Sequence, residues 1–208
     1  MKNNNKRTPG RPREFNIEFA QTAILDEFWT KGFSATSVDD LSKATGMVKP
    51  SLYSAFGNKF AMYLMSIETY GELVREKIHP TLENAENIRD ALEGLFEGAL
   101  DIYFGNEETG ARGCLLSATA ISEAKNHPEI AEIVKVRVQR MHKDIGSCLA
   151  HHCPNWSEEQ VKLHAWNISS SLHHLSTCAR VGIPRNELEE EAVAIIDAVV
   201  KQCGLEPA

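Results

Sequence analysis

Two glycines, Gly46 and Gly57, bracket the stretch MVKPSLYSAF, which leaves room for a helix of only about two turns. Within it Leu52, Tyr53 and Phe56 recur at near-helical spacing among Lys49, Pro50, Ser51 and Ser54. A helix that short does not hold itself together in water, so its neighbours must clamp it, and its polar face is left to touch something else. The sequence supplies the clamp. Ile17, Ala20, Ile24 and Phe28, broadened by Leu25 and Trp29, form one helical stripe that Gly32 closes. Ser37 then caps a second helix over 38–44, with Asp39 and Asp40 in the first turn, where the helix dipole favours negative charge. Gly57-Asn58 breaks the short third helix before a fourth, expected over 59–79 and ended by Pro80.

Beyond Pro80 the periodicity stays helical. Ile88, Leu92, Leu95, Ala99 and Tyr103 make one stripe, and a shorter helix follows over 114–124. Pro128 opens a long helix with Ile130, Val134, Val138, Met141, Ile145 and Leu149 on one side. Ser157 and Gln160 form a capping box, after which Val161, Ala165, Ile168, Leu172, Leu175 and Ala179 alternate in steps of four and three. Asn186 is placed to cap a last helix carrying Leu188, Ala192, Ile195 and Val199. The expected fold is therefore all-α, with no strands and no internal repeats. A basic arm (1–13) precedes a three-helix head (14–58), a connecting helix (59–79) and a larger helical domain (80–208).

Charge narrows the function classes. The 208 residues carry a net charge of −7, but residues 1–70 are net +2 and the remainder net −9. Lys2, Lys6, Arg7, Arg11 and Arg13 all precede the first acid. A basic arm on a near-neutral head, ahead of an acidic body, fits an anionic partner that meets only the head; a solvated tail is the plainer alternative. No apolar run is long enough for a membrane span. Five cysteines without a C-x-x-C pair suggest neither a disulfide framework nor a zinc knuckle, and a reducing cytoplasm is expected. No nucleophile-base pair, glycine-rich phosphate loop or paired carboxylates stand at telling spacing, so an enzyme is not expected.

Two short helices joined by a glycine turn, the second with polar residues outward, match the helix-turn-helix arrangement, whose second helix enters the DNA major groove. On that reading Leu52 and Phe56 face inward and Lys49, Pro50, Ser51, Tyr53 and Ser54 lie at the DNA surface. Lys49 and Lys59 neutralise phosphates, the hydroxyls of Thr36 and Tyr53 donate to them, and Ser51 or Ser54 reaches a base edge. Residues 15–64 resemble the DNA-binding head of the TetR family of bacterial transcriptional regulators. GFSATSVDDLSKATGMVKPSLYSAFGNKFAMY follows that family's pattern without a gap, and P-S-L-Y-x-A-F-G, G-R-P-R-E-F and R-G-C-L-L resemble one branch of it. The resemblance implies DNA contacts at Thr36, Ser37, Lys49, Pro50, Ser51, Tyr53, Ser54 and Lys59. Val48 stands where the family usually has Ser, Thr or Ala, and Phe60 where an acid is common. Arg11 and Arg13 in the G-R-P-R arm suit a narrow minor groove, although the arm could equally stay disordered on DNA.

For the body the resemblance implies a homodimer on operator DNA, released by a small-molecule effector, with no cofactor. The seam residues Val161, Ala165, Ile168, Leu172, Leu175 and Ala179, with Leu188, Ala192, Ile195 and Val199, are the expected dimer interface; the alternative is an intramolecular core. Phe96, Leu100, Tyr103, Phe104, Met141 and Trp166 are candidate pocket residues, although aromatic and apolar side chains at helical spacing are more often plain core. His174 with Cys178, and Cys148 with His152, have the i, i+4 spacing of metal ligands, but no third ligand is assignable and no metal site is expected. Cys114, at an expected helix start, is a candidate sensing thiol or a buried structural one. A thiol- or metal-sensing repressor and a helical interaction module remain the alternative functions.

Overall fold

The structure is a computed structural model that describes residues 16–106 and 110–204; the basic arm, with Arg11 and Arg13, lies outside the described residues. Regular structure among the described residues is entirely helical. The head is α1 (Ile17–Ala35), α2 (Val38–Thr45) and α3 (Lys49–Phe56). α4 (Lys59–Glu83) leads out of it into α5 (Ile88–Phe104), and a π-helical turn, Leu116–Ala120, runs straight into the short α6 (Ile121–Glu123). Three long helices follow: α7 (Pro128–His152), α8 (Glu158–Arg180) and α9 (Arg185–Gln202).

Local chemistry sets most of the boundaries. Asn16, Asn58 and Asn87 each accept an amide N–H from three residues on, and Ser37 and Ser157 close reciprocal capping boxes with Asp40 and Gln160. Gly46 ends α2 in the left-handed region at φ 68°. Gly32 breaks the helical backbone of α1 at φ 79°, ψ 173°, and one further turn resumes beyond it. Two expected ends move. α4 does not stop before Pro80 but carries it inside the helix, and the Asn84 amide still reaches the Pro80 carbonyl at 3.0 Å. Proline forfeits only its own N–H, a loss that one remaining turn packed through Leu82 tolerates. α9 starts at Arg185 with Pro184 at its N-cap, two residues ahead of the expected Asn186 cap.

Packing is sequential and inward. α1 lies on α4, α4 on α5, α5 on α9, and α7 on α8. Phe28, Tyr63 and Phe33 pack ring to ring between α1 and α4, with Phe28 and Tyr63 crossing edge-on at 5.0 Å. No helix is long and apolar enough to cross a membrane, among the described residues.

Two expectations about the body are corrected. The seam of α8 and α9 does not wait for a second subunit: Ala165, Ile168, Leu172, Leu175, Ala179, Leu188, Ala192 and Val199 are already buried in the chain's own core, and Val161 and Ile195 are half-buried against it. Seam spacing marks a buried stripe, and here α7 and α5 bury it. Cysteine usage is the other correction. Cys153, just past α7, is disulfide-bonded to Cys203, just past α9, with Cα atoms 5.4 Å apart. Fifty residues of separation hide that pairing, which only the antiparallel packing of the last helices brings about.

Candidate nucleic-acid interface and ligand cavity

α3 is fastened by one fully buried side chain, Leu52, and by half-buried Phe56, while its opposite face is open. Lys49, Pro50, Tyr53 and Ser54 are exposed and Ser51 is half-buried, so a single face of two turns presents an ammonium, three hydroxyls and a pyrrolidine ring. Val48 occupies the N-cap without a side-chain hydrogen bond, leaving the first amides of α3 unpaired by any cap. Lys49 Nζ rests on Asp39 Oδ1 at 2.8 Å, which raises its pKa through that hydrogen bond and keeps it charged. Lys59 Nζ lies over the Phe33 ring, 4.4 Å from its centroid, on the flank of the same surface.

The head also corrects a contact. Thr36 is 1% exposed and its hydroxyl donates to the Gly32 carbonyl at 2.7 Å, so it stitches the broken end of α1 and has no proton to offer a phosphate. The exposed Ser37 hydroxyl accepts from the Asp40 amide at 3.1 Å and so serves first as the cap of α2.

Behind the head, two adjoining cavities of about 400 and 310 Å³ open between α4 and α7, a size that suits a small organic ligand. They share Tyr70, Val74, Ile78, Leu116, Arg137 and Met141. Of the expected pocket residues, Tyr103 and Met141 line the smaller cavity. Phe96 and Leu100 are buried in the core instead, and Phe104 packs half-buried against it, because α5 turns these side chains toward its helical neighbours. Trp166 is exposed and carries Lys162 Nζ at 4.7 Å over its ring. Arg137 went unforeseen, although it sits between Val134 and Met141 on the apolar stripe of α7. Its partner signal is Gly71 in the middle of α4: a Cβ there would stand 2.4 Å from Arg137 Cζ, so the bare backbone is the seat of the guanidinium.

The cavities reach the head through a ring and a loop, among other contacts. Tyr70 meets Trp29 of α1 edge-on at 4.8 Å. In the Arg112-Gly113-Cys114 loop, the amides of Arg112 and Gly113 both donate to the Tyr103 carbonyl, and the Trp29 indole donates to the Gly113 carbonyl at 2.9 Å. Arg112 lies over the Trp29 ring at 4.0 Å and pairs with Asp26 at 2.6 Å. From α8, Arg180 donates to the carbonyls of Arg112 and Thr30. Cys114 lines the smaller cavity, and its amide accepts no helix-start role but donates to Ser176 Oγ at 2.7 Å. Burial pushes the Cys148 thiol up to about 11, which makes it a poor metal ligand or nucleophile. His174 Nε2 stands 3.1 Å from Glu191 and 3.5 Å from Cys178, yet no group of three His, Cys, Asp or Glu side chains is arranged to hold a metal ion among the described residues.

Residues 22–64 match the family model described as bacterial regulatory proteins, tetR family. Among curated relatives, the HTH-type transcriptional repressor ComR of Escherichia coli (strain K12) is 30% identical over 133 residues, covering 64% of this chain and 62% of ComR. The HTH-type transcriptional regulator YezE of Bacillus subtilis (strain 168) is 25% identical over 122 residues, 59% of this chain and 62% of YezE. The chain thus spans about six-tenths of the length of the curated relatives it matches. Among solved structures, a cysteine mutant of the TetR family transcriptional regulator CifR, complexed with 26-bp double-strand operator DNA, superposes with a TM-score of 0.80 at 20% identity, over 91% of this chain and 99% of that one. A TetR-family regulator from Cytophaga hutchinsonii gives a TM-score of 0.75 at 17% identity, over 92% and 94%. The head, residues 22–64, thus matches the tetR family of bacterial regulatory proteins, and the fold along nearly the whole chain is the one that solved TetR-family regulators share.

Proposed function

We propose that the protein is a cytoplasmic, ligand-responsive transcriptional regulator, a repressor that holds a pseudo-palindromic operator as a homodimer and lets go when a small molecule fills the cavity between α4 and α7. The observation that carries the reading is the open face of α3: Lys49, Pro50, Tyr53 and Ser54 project from a helix too short to exist for its own sake and fastened from behind by Leu52. Lys49 and Lys59 supply the phosphate charge, and Tyr53, 47% exposed, supplies a hydroxyl beside them. With the earlier seam occupied internally, dimerisation falls to the outward faces of α8 and α9, where Leu163, Trp166, Val181 and Val193 are large apolar side chains left exposed.

The test is a mobility-shift titration of the full chain on DNA from upstream of its own gene, at several salt concentrations, with Lys49→Ala beside it. The variant should bind all sequences more weakly and flatten the dependence of log affinity on log salt by somewhat less than about one unit, because one phosphate contact is gone. A folded variant with an unchanged slope removes Lys49 from the interface, and no shift by the parent protein on that DNA rejects the regulator reading.

A further inference from the structure

The proposed effector has so far no chemistry, and the cavity walls supply one. The smaller cavity is apolar, walled by Val74, Ile78, Leu116, Val138, Met141 and Leu172. The larger one, which shares four of these side chains, is rimmed by Arg75, Arg140 and Lys143, with Arg137 at the boundary between the two. Arg137 is the fixed member. Its side chain is 17% exposed, its guanidinium lies flush on the α4 backbone at Gly71, and one nitrogen is held by Glu68 at 2.6 Å. Among the described residues no other side chain pairs with it, so its remaining N–H groups stay available along the cavity. A planar fork so seated is a carboxylate receptor before any ligand arrives.

We infer, on the reading that this cavity is the effector site, that the effector is an amphiphilic monocarboxylate: an apolar chain in the smaller cavity and a carboxylate on Arg137, under Arg75, Arg140 and Lys143. Glu68 already holds one nitrogen of the same guanidinium and Asp144 lines the same cavity, so Arg137 keeps N–H groups for a single carboxylate while the two acids offset part of the positive rim. A neutral alcohol leaves the desolvated arginine without its acceptor, and a cationic head is repelled by it. Ligand insertion presses on Tyr70, whose ring leans on Trp29 of the head.

Calorimetry of the full chain with decanoate, decanol, decylamine and decyl phosphate separates the chemistries. Decanoate should bind about tenfold or more tighter than decanol, which a charge-assisted hydrogen bond supports, with decyl phosphate weaker than decanoate and decylamine weakest. Arg137→Gln should remove the decanoate advantage and leave decanol unchanged. Gly71→Ala, which keeps every charge but places a methyl group in the guanidinium's seat, should do the same in part. Decanol binding as tightly as decanoate, or both ligands weakening alike in both variants, overturns the inference. Operator release is scored separately. Decanoate that binds through Arg137 without loosening the operator upholds the ligand class and rejects the effector reading; release by decanol but not decanoate does the reverse.

Discussion

Two of the ties between head and body are of opposite character. α4 is a covalent strut, buried along Met62, Tyr63, Ile67 and Tyr70, and its packing on α1 is aromatic and apolar. The Arg112-Gly113 loop is a polar clasp in which the Arg112 guanidinium pairs with Asp26 and the loop backbone bonds the Trp29 indole of α1, the Tyr103 carbonyl of α5 and the Arg180 guanidinium of α8. An apolar strut tilts as a rigid body, whereas a clasp of directional bonds has few intermediate positions and holds or lets go. Both meet at the cavity, the strut through Tyr70 and the clasp through Cys114 and Tyr103. α4 is thus the only continuous chain between the two parts but not their only mechanical link.

The two glycines at these links distinguish them most sharply. Gly113 has φ 66°, and a Cβ there would meet the Ser176 backbone carbonyl oxygen at 2.5 Å, which has nowhere to go. Gly113→Ala should cost about 3 kcal/mol or more in urea unfolding, through strain and a broken clasp together. Gly71→Ala places its methyl against the flexible end of a side chain, within a helix that prefers Ala, and should leave stability within about 1 kcal/mol. Equal losses in the two variants would erase the contrast between strut and clasp.

A third tie serves as the control, because it joins body to body. Removing the Cys153–Cys203 bond, by Cys153→Ala with Cys203→Ala or by reductant, should lower stability by about 2–4 kcal/mol while operator affinity of the folded protein is unchanged. Loss of operator binding at full folding would show that the far ends of α7 and α9 also set the head.

Asp26→Asn cuts the clasp more gently. Arg112 is buried, with its side chain 8% exposed, while Asp26 remains 38% exposed, so the loss should be about 1–3 kcal/mol and not the full cost of stranding a buried charge. The variant should still bind operator yet respond less to ligand, read as a smaller ratio of operator affinities without and with it. An undiminished ratio takes the clasp out of the transmission path.

How much of this was legible follows from the range of the contacts. α2, its Ser37 cap, the Gly46 turn and the Leu52 anchor are decided within a dozen residues, and the residues themselves announce them. The α8 stripe was equally plain as buried, but what buries it depends on helices α5 and α7, far along the chain, and periodicity does not identify a partner. The same ignorance hid the cysteine pair. Arg137 was readable in principle, as an arginine on an apolar stripe facing a glycine in mid-helix, but only together with Gly71, 66 positions earlier in the sequence. Thr36 turns inward because the break at Gly32 leaves a carbonyl that its hydroxyl is the nearest group to satisfy, a demand that the residue's own neighbourhood in sequence does not announce.

The smallest effect separates the head's own bracing from both links. Hydrogen bonds from the Ser37 hydroxyl, and next from the Ser37 amide, pull the Asp40 carboxyl down to about 2, below the usual value of about 3.9 for an unfolded aspartate. A carboxyl depressed on folding contributes stability that is whole above about pH 4 and disappears as pH falls through about 2. Acid should therefore loosen the start of α2, and with it the mount of α3, while at neutral pH the cap is complete. Carboxyl titration by NMR should place the Asp40 midpoint near 2, and Asp40→Asn should flatten this part of the acid-dependent loss of head stability. A midpoint near 4 would mean that the box is open in solution. In that case the exposed Ser37 hydroxyl is free for a phosphate oxygen, and the two functions of that residue, cap and contact, exchange their order.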